Sequence, residues 1–143
     1  QIDGSTLIIS RKEMCMRVLL VEDDAFQREL LECTFVEAGH TVVLTEDGQE
    51  AWELLDRGDE FDLVLSDRDM PRMDGLELLR RVRTGSRTAA ITFVLTSGSD
   101  VVSLDDSTPL KVACAKYGAS FIEKPFSLAK LDAILGRKAT SGN

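Results

Sequence analysis

The chain has 143 residues, 43% hydrophobic and 29% charged, the make-up of one globular domain with a core and little left over for a second. A net charge of −8 argues against DNA or RNA as the main partner, because phosphate binding draws on clustered Lys and Arg. The apolar runs are far too short to span a bilayer, and Leu7-Ile8-Ile9 is too short for a signal-peptide core, so the expectation is a cytoplasmic protein with no membrane contact.

Residues 1–15 begin at Gln1 and show no clear period. They read as an extension, a remnant of cloning or the end of an upstream segment, and Met16 is a possible natural start. From Arg17 onward, short apolar runs alternate with helical patterns. The first run, Val18 to Val21, ends in Glu22-Asp23-Asp24 and leads into a helix over about Ala25 to Ala38. Phe26, Leu30, Cys33 and Thr34 lie on one side of that helix, Asp24 is its N-cap and Gly39 its stop. His40 comes next, in the turn, and is expected at the surface, ahead of a second strand over Thr41 to Leu44.

A second helix, about Gln49 to Arg57, carries Ala51, Leu54 and Leu55, with Trp52 as a packing residue, and ends at Gly58. The third strand, Leu63 to Leu65, runs into Ser66 and Asp67. Next comes a helix from Gly75 to Arg83, capped by Asp74, with Leu76, Leu79 and Val82 inward. A fourth strand over Ile91 to Leu95 ends at Thr96. A fourth helix spans about Pro109 to Tyr117, a fifth strand Ala119 to Ile122, and a fifth helix Leu128 to Leu135, capped by Ser127 and ended by Gly136. The domain is thus expected over 16–137, with 138–143 as a tail.

Fully apolar strand runs mean strands buried on both faces, hence a parallel sheet covered by helices. Five such strands alternating with five helices predict an α/β fold, a three-layer doubly wound (βα)5 sandwich of flavodoxin-like strand order 2-1-3-4-5. In that order the first and third strands are neighbours, which brings Glu22 and Asp23 beside Asp67. Crowded carboxylates repel unless a cation lies among them, and a hard divalent ion such as Mg²⁺ suits the cluster. Lys124, after the fifth strand, adds an ammonium, and Thr96 adds a hydroxyl. A metal, an ammonium and a hydroxyl around one carboxylate are what phosphoryl transfer requires, with Asp67 as a nucleophile that becomes an aspartyl phosphate.

Cys15, Cys33 and Cys114 are odd in number, widely separated and without the spacing of a zinc or redox site. They are expected to be reduced and structural, Cys33 and Cys114 serving as small hydrophobes on helix faces.

Five segments in this order, Val-Leu-Leu-Val-Glu-Asp-Asp (18–24), Asp-Leu-Val-Leu-Ser-Asp (62–67), Met-Pro-Arg-Met-Asp-Gly (70–75), Val-Leu-Thr-Ser (94–97) and Phe-Ile-Glu-Lys-Pro-Phe (121–126), resemble the receiver domain of two-component response regulators, the CheY-like family. The resemblance covers about Arg17 to Gly136. It implies Asp67 as phosphoacceptor, Asp23 as a direct Mg²⁺ ligand, Glu22 as the acid holding a metal-bound water and Asp69 as donor of a backbone carbonyl to the metal. It also implies Thr96 and Lys124 as groups that meet the phosphoryl oxygens, Phe121 as the aromatic that turns inward behind Thr96, and a cis bond before Pro125. The implied phosphodonor is a histidine kinase or histidine phosphotransfer protein. The implied output is a change of protein contacts on an unidentified target, by a monomer or a phosphorylation-dependent dimer.

Two departures stand against the pattern. The stretch from Thr96 to Lys124 is longer than the family's, and its polar segment 97–109 is either a partner-specific surface or a tolerated insertion. Asp69 puts a third acid near Asp67, facing solvent or altering metal affinity and phosphate lifetime. No DNA-binding or catalytic output domain is expected, since only 136–143 come after Leu135. Two rival readings are a receiver-like scaffold that works unphosphorylated and a haloacid dehalogenase-type phosphohydrolase. The second is opposed by the place of Asp67-x-Asp69 on the third strand and by Pro71 where that family has Thr or Val.

Overall fold

Each apolar run forms one strand of a single parallel sheet. The computed structural model describes residues 15–98 and 108–136. Residues 1–14, most of the long segment (99–107) and the expected tail lie outside the described residues. The elements are β1 (Arg17–Val21), α1 (Ala25–Glu37), β2 (Thr41–Thr45), α2 (Gly48–Asp56), β3 (Leu63–Asp67), α3 (Gly75–Thr84), β4 (Thr92–Ser97), α4 (Pro109–Tyr117), β5 (Ser120–Glu123) and α5 (Leu128–Ile134). The sheet order is β2-β1-β3-β4-β5, the doubly wound arrangement expected. Among the described residues no helix is long and apolar enough to cross a membrane.

Strand alternation builds two cores. Leu19, Val21, Val64, Phe93 and Leu95 face α2, α3 and α4, where they meet Ala51, Leu55, Leu79, Val82 and Leu110. Val18, Leu20, Leu63, Leu65, Val94 and Ile122 face α1 and α5, where they meet Phe35, Leu128 and Leu131. A strand buried on both faces has no solvated face, which is why the runs read as continuously apolar. Each helix starts on a side-chain oxygen that accepts a backbone N–H three residues on: Asp24 from Gln27 (3.0 Å), Asp47 from Glu50 (2.9 Å), Asp74 from Glu77 (2.9 Å), Thr108 from Lys111 (3.3 Å) and Ser127 from Lys130 (3.1 Å).

Three expectations are corrected. The Phe26, Leu30 and Cys33 side of α1 faces solvent, with Phe26 70% and Leu30 52% exposed, and Cys33 is exposed instead of packed. The buried side is carried by Phe35, helped by Leu31 and Ala38. His40 is not at the surface: it is 4% exposed, its Nδ1 accepts the Met16 N–H at 2.9 Å, and its ring meets the Phe35 ring edge-on at 5.8 Å. On α3, Leu78 is fully buried beside Leu79 and Val82, whereas Leu76 is only partly so. Trp52 packs against the core as a half-buried residue, and Cys114 is buried as expected.

Gly75 closes the loop from β3 to α3 at a place with no room for a side chain. A Cβ there would stand 2.3 Å from the Asp67 carbonyl oxygen and 2.7 Å from Leu95 Cδ2, and the Gly75 N–H donates to the Arg68 carbonyl at 2.9 Å. Overpacking next to a strand end is destabilising, so Gly75→Ala is expected to cost on the order of 2 kcal/mol in urea denaturation. An unchanged midpoint would show that the loop has slack the packing denies.

Candidate functional site

Parallel pairing brings the acidic strand ends together. Val21 pairs with Ser66 between β1 and β3, so the next residues, Glu22 and Asp67, abut, and Asp67 pairs with Thr96 on β4. Ser97 pairs with Glu123, and the Lys124 N–H donates to the Ser97 carbonyl at 2.8 Å, which sets Lys124 at the same end of the sheet. The Lys124–Pro125 peptide bond is cis. The result is an open cleft of about 790 Å³ whose lining includes Glu22, Asp23, Asp67, Asp69, Lys124 and Pro125. It lies at the carboxyl ends of the strands where the strand order reverses, the usual ligand position in open α/β sheets.

Carboxylate oxygens of Glu22, Asp23 and Asp67 all lie within 4.8 Å of one another. Lys124 Nζ donates to Glu22 Oε1 at 2.9 Å and stands 3.6 Å from Asp67 Oδ1. Glu22 is 2% exposed and also accepts the Asp24 N–H at 3.2 Å, so its carboxylate is fixed from two sides. Asp67 Oδ1 accepts the Arg68 N–H at 2.9 Å, leaving the rest of its carboxylate directed at the cleft. Thr96 is buried, and its hydroxyl donates to the Ser66 carbonyl over a long 3.4 Å.

The electrostatics result from this crowding. Burial, then the Glu22 charge, push the Asp67 carboxyl up to about 6, with Lys124 and the Arg68 N–H restraining the rise. Burial works against the Lys124 ammonium, but the Glu22 hydrogen bond and the Asp67 and Glu22 charges hold its pKa above the ordinary lysine value. Three oxygen ligands from carboxylates, short of positive charge and open to water on one side, fit a hard divalent cation of the Mg²⁺ kind.

The other expected residues divide. Asp69 lies on the rim of the cleft with its side chain 72% exposed and paired with Arg68 at 3.0 Å. Phe121 is half-buried and packs with the α2–α4 core, where it lines a separate cleft of about 470 Å³ beside α4. Thr96 shares the strand-face parity of Val94, on the α1 and α5 side, so Phe121 and Thr96 lie on opposite faces of the sheet. Sequence reasoning missed Gln27, Gly98 and the Arg68 N–H as parts of the site. Gln27 and Gly98 line the cleft, and a backbone donor leaves no mark on residue type.

Fold and site together define a doubly wound domain with an acid cluster opposed by a lysine at the strand ends. The family model for the response regulator receiver domain matches residues 18–136, and the chain belongs to that family. A chemotaxis protein CheY homologue from Campylobacter jejuni is 33% identical over 134 residues, spanning 89% of this chain and 98% of its own. The structure of CheY4 from Vibrio cholerae superposes with a TM-score of 0.70 at 27% identity, covering 82% of this chain and 97% of that one. The receiver domain of a sensor histidine kinase from Pseudomonas aeruginosa, with a magnesium ion coordinated in its active-site cleft, superposes with a TM-score of 0.68 at 25% identity, covering 84% and 93%. This chain is therefore a CheY-like receiver domain of two-component signalling.

A raised carboxyl pKa means that the folded protein holds its proton more tightly than the unfolded chain. Stability from this group is then lost as pH rises from about 4 through about 6. Discounted for the cleft's access to water, ionised Asp67 costs the metal-free protein on the order of 1 kcal/mol at neutral pH. Asp67→Asn is accordingly expected to melt higher than the parent at pH 7 in chelator, with the gap closing toward pH 4. A gap independent of pH would contradict this origin.

Proposed function

We propose that Asp67 accepts a phosphoryl group from a histidine of a sensor kinase or phosphotransfer protein, and that the aspartyl phosphate changes the chain's protein contacts. The observation that carries this reading is the triad of carboxylates within 4.8 Å of one another facing an ammonium 2.9 Å from Glu22 and 3.6 Å from Asp67. Asp23 and Asp67 would hold Mg²⁺ directly, the Asp69 carbonyl would join them, and Glu22 would hold a water on the metal. When bound, the cation supplies charge neutralisation for the phosphoryl oxygens.

The chain's own groups do the rest. One ionised Asp67 oxygen attacks phosphorus in line, the P–N bond to the donor imidazole breaks, and the imidazole leaves with that electron pair and takes a proton from solvent. Lys124 turns from Asp67 toward a phosphoryl oxygen, keeping its bond to Glu22. The Thr96 hydroxyl exchanges its long bond to the Ser66 carbonyl for a phosphoryl oxygen, while Phe121, on the opposite face of the sheet, is not placed to turn in behind it. The unit that does this is residues 16–137. A phosphohistidine donor and three free cysteines both fit a cytoplasmic setting.

The donor protein must rest on the rim of the cleft. Beside that rim, α1 exposes Phe26, Leu30 and Cys33, spaced to fall on one face of the helix, and this face is apolar ground for such a partner.

Incubation with Mg²⁺ and acetyl phosphate should add one phosphate to the intact mass, and Asp67→Asn should abolish the gain. Lys124→Ala should slow it by about a hundredfold or more. A gain that persists in Asp67→Asn would move the acceptor elsewhere. Because a protonated Asp67 cannot ligate, Mg²⁺ affinity should fall as pH drops below about 6, and titration calorimetry at pH 5 and 7 measures it. Phe26→Ser combined with Leu30→Ser should slow transfer from a phosphohistidine protein while leaving the acetyl phosphate reaction unchanged. Equal slowing of both would remove α1 from the docking surface.

A further inference from the structure

Arg72 has φ 65, and among the described residues it is the one non-glycine residue in the left-handed region. A long side chain there is strained, and such strain persists only where its surroundings hold it. The guanidinium supplies the hold. Nε donates to Asp47 Oδ2 at 2.7 Å and Nη2 to Asp47 Oδ1 at 3.2 Å, a two-pronged pair with a carboxylate that is itself buried. Next to it, the Gly48 N–H donates to the Met73 carbonyl at 3.0 Å, and a Cβ on Gly48 would stand 2.4 Å from that oxygen. The loop after β3 is thus docked on the first turn of α2.

Both ends of this contact reach the acid cluster. On one side the loop begins at Arg68, whose N–H bonds Asp67 Oδ1 and whose carbonyl accepts from Gly75, and it carries Asp69 before Arg72. On the other side Asp47 lies two residues past Thr45, whose carbonyl accepts the Glu22 N–H at 3.1 Å and whose hydroxyl donates to the Leu20 carbonyl at 3.0 Å. One side chain joins the segment that bears Asp67 to the segment that anchors Glu22.

We propose that Arg72 is a positioning residue for the phosphoryl site, its pair with Asp47 setting the spacing between the β1 acids and the Asp67–Asp69 segment. Carboxylates that repel one another tend to spread, and between the backbone bonds at Arg68 and at Met73 the loop is held by this side-chain pair. The latch keeps the oxygens at cation-binding distance before the cation arrives. This inference rests on the reading of the cluster as a Mg²⁺ and phosphoryl site.

The test uses the full chain with Arg72→Gly, which removes the guanidinium and relieves the left-handed strain together, so that folding stability changes little. Arg72→Lys keeps the charge without the two-pronged geometry, and Asp47→Asn keeps the helix cap and the shape. Calorimetric titration with MgCl₂ should show Arg72→Gly binding about tenfold more weakly than the parent, with Arg72→Lys and Asp47→Asn between. With acetyl phosphate, the Mg²⁺ concentration for half-maximal rate should rise in parallel while the rate at saturating Mg²⁺ stays near that of the parent. Parent-like Mg²⁺ affinity in a folded Arg72→Gly or Asp47→Asn overturns the proposal. A parent that itself binds no Mg²⁺ overturns the site reading on which it rests.

Discussion

The structure turns on the repulsion among Glu22, Asp23 and Asp67 and its partial relief by Lys124. Two carboxylates within 4.8 Å repel by about 3 kcal/mol at an effective dielectric of about 20, and the cluster holds three such pairs. One ammonium at 2.9 Å from Glu22 and 3.6 Å from Asp67 answers only part of this. Burial first, and the remaining repulsion second, raise the Asp67 pKa, and the excess negative charge suits the site to a divalent cation. In the proposed function that imbalance is what phosphorylation of Asp67 acts on, by changing the charge at a packed strand end.

The rest of the fold serves to keep this uncomfortable cluster in place. Parallel strands set the acids at one edge, because β1 and β3 share register and end together. The capping residues beside them do double duty. Asp24 starts α1 immediately after Glu22 and Asp23, and Asp47 starts α2 while gripping Arg72. Close backbone packing at Gly48 and Gly75 leaves the loop between β3 and α3 little room to retreat. Strain at Arg72 and crowding at Asp67 belong to the same small region, as expected where a site is held against its own electrostatics.

Much of this was legible in the sequence because doubly buried strands announce themselves as unbroken apolar runs, and the residues just past the end of each run then mark the functional edge. Glu22, Asp67, Thr96 and Lys124 could be assigned to one place from strand order alone. The face of α1 could not. Phe26, Leu30 and Cys33 recur at helical spacing, and so do Leu31, Phe35 and Ala38, so periodicity offers two stripes and only the fit of Phe35 against the sheet and the His40 ring selects one. His40 looked like a turn residue because its partner, the Met16 N–H, is 24 residues away. The Arg72–Asp47 pair spans 25 residues and depends on a backbone angle that no side-chain pattern encodes.

Asp67, and no other acid of the cluster, is the proposed phosphoacceptor. Borohydride reduction of the phosphorylated protein converts an acyl phosphate into homoserine, and peptide mass mapping then locates it. Homoserine is predicted at position 67 alone. Homoserine at Asp23 or Asp69, or its absence from a chain that has gained phosphate, would contradict this assignment.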